Sequence, residues 1–392
     1  MILLSGATVV LPDRLLDPGT VVIDGDRIVD VVEGTRSSSG TDEHIDLHHH
    51  CVVPGFIDVH VHGAEGTDTL DGVDAVRRIA RRLPRYGVTA FCPTSVACSP
   101  ETLRDMLEDV RLARLNRPPD AARVLPAHLE SNFINPEFKG AQPLECLRLP
   151  SSDRNGEFSG RAIVETIAAA RAEVGIVTLA PELAGAMDLI RQLVSHGHRV
   201  SLGHSGATYE EAIAAIDAGA RHATHLFNRM TPISHRAPGL TGAALERSEI
   251  TAEVICDGVH VHPSVVRLAV AAKSPNGVMA ITDGTAGAGL PRGSRAALGG
   301  RIITVGDAAY LEDGTIAGSV LTMDRAFETL VRRAGMTLVE AAIMCSTTPA
   351  RALKLDGFGM VRTGATADLT VLDADFRVRY TFVGGQQVWA RT

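Results

Sequence analysis

Between Val52 and Asp283 the chain alternates short apolar runs with amphipathic stretches eight times over, and that alternation leaves few folds open. The apolar runs are Val52–His62, Thr89–Ser95, Val124–Glu130, Ile176–Ala180, Val200–His204, His222–Phe227, Thr251–Asp257 and Gly277–Asp283. Helical patterns fill the gaps, among them Val73–Tyr86, Glu101–Leu115, Arg161–Val174, Leu183–His196, Tyr209–Ala218 and Pro263–Lys273. Apolar runs of this length, buried on both faces and each followed by a helix, predict parallel strands. Eight such units in succession predict a closed (β/α)8 barrel.

The two ends of the chain have a different texture. Ala7–Leu11, Thr20–Ile23, Arg27–Val32 and His44–Leu47 read as short strands, with Asp24-Gly25-Asp26 as a hairpin turn. Asp368–Leu372, Val378–Val383 and Gln387–Trp389 continue the pattern at the other end. The expectation is a small β-sandwich built from residues 1–53 and 358–392, and a barrel over 54–357 that carries an inserted hairpin near 298–311.

Composition narrows the function classes. A length of 392 residues with 45% hydrophobic content can bury a large core. The balance of 46 acidic against 38 basic residues gives a net charge of −8, and no Lys/Arg block is long enough to follow a phosphate backbone, so nucleic acid is not expected as a partner. The six cysteines form no CxxC pair, which predicts reduced thiols in the cytoplasm. No apolar run is long enough to span a membrane.

The residues at the strand ends carry the chemistry. Residues i and i+2 of a strand share a face, so His60 and His62 can aim at one point. Strand three ends at Glu130, strand five at His204, strand six contains His225 and strand eight ends at Asp283. Barrel active sites lie at the C-terminal ends of the strands, so six metal-competent side chains converge on one mouth. Taken singly, an HxH pair can be a hydrogen-bonded core pair, a lone histidine a satisfied one, and Asp283 a turn cap. Glu130 in a buried strand needs a cation or donors, and the coincidence of all six at matching ends predicts a divalent metal site. The run His48-His49-His50 reads as a solvated turn, His196 and His198 as residues suited to a helix C-terminus, and His44, His222 and His262 have no evident role. Ser205 and Cys256 lack the partners a nucleophile needs.

With those residues go longer motifs: PGFIDVHVHG from Pro54, HLES and FINPEFKGA from His128, GHSGATY from Gly203, THLFNRM from Thr224 and RAPGLTGAAL from Arg236. DGVHVHP from Asp257, ITDG from Ile281, AGSVLTM from Ala317, TTPAR from Thr347 and ADLTVLD from Ala367 follow in order. Together they resemble the amidohydrolase superfamily and, within it, the N-acetylglucosamine-6-phosphate deacetylase family, over nearly the whole chain.

The resemblance implies primary metal ligands Glu130, His204 and His225, and a second metal held by His60, His62 and a bridging Glu130. It implies Asp283 as a metal-side acid/base that takes a proton from the metal-bound water and returns it to the leaving amine. Ala141, Gln142, Asn228, Arg229, Arg236, Asp257, His260, Ile316, Ala317 and Gly318 fall where that family contacts its phosphorylated amino sugar. The family's usual homodimer, in which the equivalent of Arg236 reaches the neighbouring site, is implied as well. The implied reaction releases acetate from N-acetyl-D-glucosamine 6-phosphate, a step of amino-sugar catabolism and cell-wall recycling.

Two departures stand out. Where that family usually reads HLEGP, this chain reads His128-Leu129-Glu130-Ser131-Asn132, and where it often places a carbonyl-polarising histidine, this chain has Gln142. Retention of both His60 and His62 suggests that a second metal takes over carbonyl polarisation. The all-N/O ligand set suits zinc, with iron, manganese and cobalt as alternatives. Other readings are the galacto epimer or another N-acyl substrate, a deaminase of the same superfamily, and a non-catalytic barrel scaffold. Separate assays of acetate and ammonia would tell them apart.

Overall fold

The computed structural model describes residues 1–36, 42–152 and 157–391. Eight strands form the barrel: β1 Phe56–Val61, β2 Val88–Ser95, β3 Ala127–Glu130, β4 Val174–Leu179, β5 Arg199–Leu202, β6 His222–Ala223, β7 Thr251–Ile255 and β8 Val278–Ile281. Each pairs in parallel with the next in the order β1 to β8. Closure falls just beyond β8, where Gly284 bridges Val61 and its carbonyl accepts the backbone N–H groups of His62 (2.8 Å) and Gly63 (2.9 Å). A buried Asp58 pins the same seam from inside, accepting the Thr282 hydroxyl at 2.6 Å and its backbone N–H at 3.3 Å.

The strands of both termini form a separate small sandwich. Ile2–Val10 is its centre, pairing antiparallel with Leu15–Asp24 and parallel with both Glu43–Asp46 and Cys51–Pro54. Cys51–Pro54 in turn pairs antiparallel with Leu369–Leu372, so the two ends of the chain share one sheet. Leu4, Val9, Val21, Ile23, Ile28, Val371 and Phe382 fill its core. The expected hairpin after β8 is a three-stranded antiparallel sheet, Arg295–Leu298, Arg301–Val305 and Ala309–Leu311.

Five of the expected strands differ in extent for a local reason. The run Val52–His62 is two strands divided at Gly55, because a Cβ there would lie 2.3 Å from Thr89 Cγ2; the chain changes sheets where only glycine fits. Val124–Glu130 is interrupted at Pro126, which cannot donate to the ladder. Strands five and eight stop before His204 and Asp283, and strand six stops before His225, because those residues turn left-handed with φ of 48°, 49° and 28°.

Candidate metal centre and cleft

All six predicted ligand side chains meet at the C-terminal mouth of the barrel, and all six are buried. Those left-handed turns deliver three of them. A non-glycine residue held there costs on the order of 1–3 kcal/mol and persists only where its surroundings enforce it. The turn lets each side chain point over the barrel axis rather than along a strand.

Glu130 is the hub. Its Oε1 lies 2.8 Å from His204 Nε2 and 2.9 Å from His225 Nε2, and those two nitrogens are 3.0 Å apart. Its Oε2 lies 3.4 Å from His62 Nε2, which is 3.2 Å from His60 Nε2. Asp283 Oδ1 completes the second group at 3.4 Å from His60 Nε2 and 3.3 Å from His62 Nε2. Glu130 with His204 and His225, and Glu130 with His60 and His62, are thus two overlapping sets of donor atoms that could each hold a divalent ion.

The electrostatics fit a cation. Burial would push the Glu130 and Asp283 carboxyls up, yet the surrounding imidazoles hold Glu130 well below the usual range and Asp283 below it. Burial would likewise drive protons off the histidines, but Asp283 and Glu130 raise His62 to about 10, and Glu130 raises His225 to about 9. His62 Nδ1 and His225 Nδ1 are buried and have no hydrogen-bond partner among the described residues. His204 is oriented from behind, its Nδ1–H donating to the Phe138 carbonyl at 2.7 Å and leaving Nε2 free as a ligand.

Above the cluster opens a cleft of about 460 Å³. Of the residues expected to contact substrate, Ala141, Gln142, Asn228, Arg229, His260, Ile316, Ala317 and Gly318 line it. Gly318 sits at φ 76°, and a Cβ there would be 3.0 Å from the Asp283 carbonyl, so the backbone passes directly over the acid. Asp257 is not in the lining; it stands behind His260, its Oδ2 2.6 Å from His260 Nδ1. Arg236 is exposed and outside the lining of its own cleft.

The two departures acquire a structural account. The Ala97 N–H donates to Gln142 Oε1 at 2.8 Å, which turns the Gln142 amide nitrogen onto Glu130 Oε2. Ser131 and Asn132 fasten the loop after β3: Ser131 Oγ donates to the Thr178 carbonyl (2.6 Å), and Asn132 Nδ2 to the carbonyls of Cys98 (2.7 Å) and Cys146 (2.8 Å). Ser205 Oγ donates to Glu182 at 2.7 Å and faces no base, and burial pushes the Cys256 thiol up, so neither is an activated nucleophile.

Sequence reasoning missed Asp58 and the buried group around Glu253, in which His222, given no role above, bonds Glu253 Oε1 at 2.9 Å. Like Glu130, both Glu253 and Asp58 are carboxylates in apolar strands, and that is the signal by which they could have been found. His48 and His49 are exposed in a turn, as expected.

The geometry has counterparts among known proteins. Residues 51–388 match the model of the amidohydrolase family. The chain is 35% identical over 335 residues to an N-acetylgalactosamine-6-phosphate deacetylase of Escherichia coli O157:H7, covering 85% of this chain and 86% of that protein. It is 35% identical over 407 residues to the N-acetylglucosamine-6-phosphate deacetylase of Rattus norvegicus, covering 99% of this chain and 94% of that one. A mutant N-acetyl-D-glucosamine-6-phosphate deacetylase from Mycobacterium smegmatis, solved in complex with N-acetyl-D-glucosamine-6-phosphate, superposes with a TM-score of 0.88 at 34% identity over 99% of both chains.

Proposed function

The chain belongs to the amidohydrolase family, and from that premise we propose that it hydrolyses N-acetyl-D-glucosamine 6-phosphate to D-glucosamine 6-phosphate and acetate. The observation that carries the reading is the convergence of two carboxylates and four histidines beneath a cleft whose wall holds Arg229. Among the described residues the Arg229 guanidinium has no hydrogen-bond partner, and a free cation at a cleft wall is suited to a phosphate.

Glu130, His204 and His225 would hold one divalent ion, and His60, His62 and Glu130 a second. Bound there, the metal supplies Lewis acidity and a water that ionises near neutral pH. Asp283 takes the proton of the attacking water. The oxygen bonds the acetyl carbon, the C–N bond breaks, and Asp283 returns the proton to the departing amine. Gln142, turned onto Glu130, is a brace for that carboxylate rather than the polarising donor, which supports two ions over one. Zinc is our choice for an all-N/O set, with iron, manganese or cobalt compatible.

An exposed Arg236 lying outside its own cleft supports a homodimer in which it reaches the neighbour's phosphate site. Six unpaired cysteines support the cytoplasm as the compartment. Among the described residues no helix is long and apolar enough to cross a membrane. The galacto epimer is the second reading, favoured by the Escherichia coli relative.

The test is acetate release from both epimeric sugar phosphates, with ammonia assayed in parallel. Wild type should release acetate without ammonia, and Asp283→Asn should lower kcat by about 10²–10⁴-fold, the usual worth of a positioned acid/base. Full activity in Asp283→Asn would contradict its role; ammonia release would make the chain a deaminase.

A further inference from the structure

A hydrogen-bonded chain crosses the barrel interior beneath the metal centre. It begins at Arg199, the first residue of β5, whose Nε lies 3.0 Å from His222 Nδ1. His222 Nε2 lies 2.9 Å from Glu253 Oε1, and Glu253 Oε2 lies 2.9 Å from His60 Nδ1. Glu253 Oε2 also accepts the backbone N–H of His225 at 3.1 Å. His60, His222 and Glu253 are each wholly buried.

The direction of every bond in this chain is fixed by its far end. A guanidinium can only donate, so His222 Nδ1 accepts and the His222 proton sits on Nε2. That proton is donated to Glu253, and an ionised carboxylate can only accept. His60 therefore donates from Nδ1, and its Nε2 is left with a lone pair aimed at His62 and Asp283. Arg199 also donates to the carbonyls of Ala352 and Arg221, both at 2.8 Å, so it is held rigidly, and among the described residues it pairs with no carboxylate of its own. Its charge is answered by Glu253 through the imidazole between them.

The neighbouring His128 does not divert the chain. Its Nδ1 is 3.0 Å from the Val59 carbonyl and so carries the proton, and burial pushes its pKa down to about 3, keeping it neutral. With Nδ1 of both His60 and His128 protonated, neither ring offers Glu253 a lone pair with which to share a further metal ion.

We propose that Arg199, His222 and Glu253 are positioning residues that lock His60 as its Nδ1–H tautomer and thereby set the affinity of the ion held by His60 and His62. The inference rests on the metal reading above. Partners behind a ligating histidine fix its ring and raise its basicity, and their loss typically costs about 10- to 100-fold in metal affinity. In Glu253→Gln the amide has one acceptor oxygen and one donor nitrogen, so it cannot accept from both His60 and His222.

The experiment titrates zinc alone into metal-stripped full-length protein against a chromophoric chelator, resolving the two equivalents, for wild type, Glu253→Gln, Arg199→Met and Arg199→Lys. Glu253→Gln should weaken one equivalent by about 10- to 100-fold and leave the other within about threefold. Arg199→Met, far from the ions, should weaken the same equivalent by a smaller factor, and Arg199→Lys, which restores a donor, should recover most of it. Nitrogen-15 spectra of the zinc-loaded wild type should show His60 protonated at Nδ1. Equal affinities in wild type and Glu253→Gln, or a His60 proton on Nε2, would overturn the relay while leaving the metal reading intact. A wild type that binds no zinc would overturn both. A purely structural role would weaken both equivalents together, and that result too would refute the proposal.

Discussion

Asp58 offers a quantitative test of how the barrel seam supports the site. It is wholly buried, and burial pushes its carboxyl from 3.8 up to about 7, against the opposing pull of its two Thr282 hydrogen bonds. A carboxyl with a raised folded pKa is bound to its proton more tightly in the folded state, so stability falls as pH rises from the unfolded value through the folded one. At about 1.36 kcal/mol per pH unit of difference, the whole effect is roughly 4 kcal/mol, of which about 2–3 kcal/mol falls between pH 5 and pH 8. Asp58→Asn keeps the shape and removes the titration. Urea unfolding of metal-loaded proteins at a series of pH values should therefore show Asp58→Asn gaining about 2–3 kcal/mol on wild type between pH 5 and pH 8. Asp58→Ala removes both bonds and leaves the Thr282 groups unsatisfied in the core, a loss relative to Asp58→Asn of about 2–5 kcal/mol that does not change with pH. Parallel pH profiles for wild type and Asp58→Asn, or an Asp58→Ala as stable as Asp58→Asn, would refute the reasoning.

Two further outcomes are expected. In metal-stripped protein His225 and His62 are raised from 6.5 to about 9 and about 10, so their protonation contributes stability fully below pH 6.5 and loses it as pH climbs through 9 and 10. The Tm gap between metal-loaded and stripped protein should therefore widen from pH 7 to pH 10; a constant gap would contradict the assignment of those protons. Mixing the separately impaired Arg236→Ala and Asp283→Asn proteins should recover activity as subunits exchange into hybrid dimers with one intact site. No recovery, with exchange verified by mass, would remove Arg236 from the neighbouring site.

The barrel and the convergence of the strand-end residues were legible in the chain because alternation reports burial, and strand ends map onto one face whatever the loops do. Periodicity does not report where a strand stops. His204, His225 and Asp283 read as strand residues, yet each turns left-handed to reach the axis, an orientation enforced by the converging donors rather than by neighbours in sequence. Gly55 is similar: it sits inside one apolar run, and only the approach of Thr89 reveals it as the point where the chain leaves the sandwich. Gln142 was legible as a departure but not in its effect, since its amide is turned by the Ala97 N–H, forty-five positions away in sequence. Glu253 stood out as a carboxylate in an apolar strand, but its role lies in His60, 193 positions distant, and no local pattern joins the two.

The central claim is that acetate release depends on ions held by both donor sets around Glu130. Acetate production from N-acetyl-D-glucosamine 6-phosphate should be measured on stripped protein while zinc is restored in known equivalents. Activity should be absent without metal and should reach its maximum only as the second equivalent per subunit is bound. Full activity at one equivalent, or turnover by protein free of metal, would contradict the account.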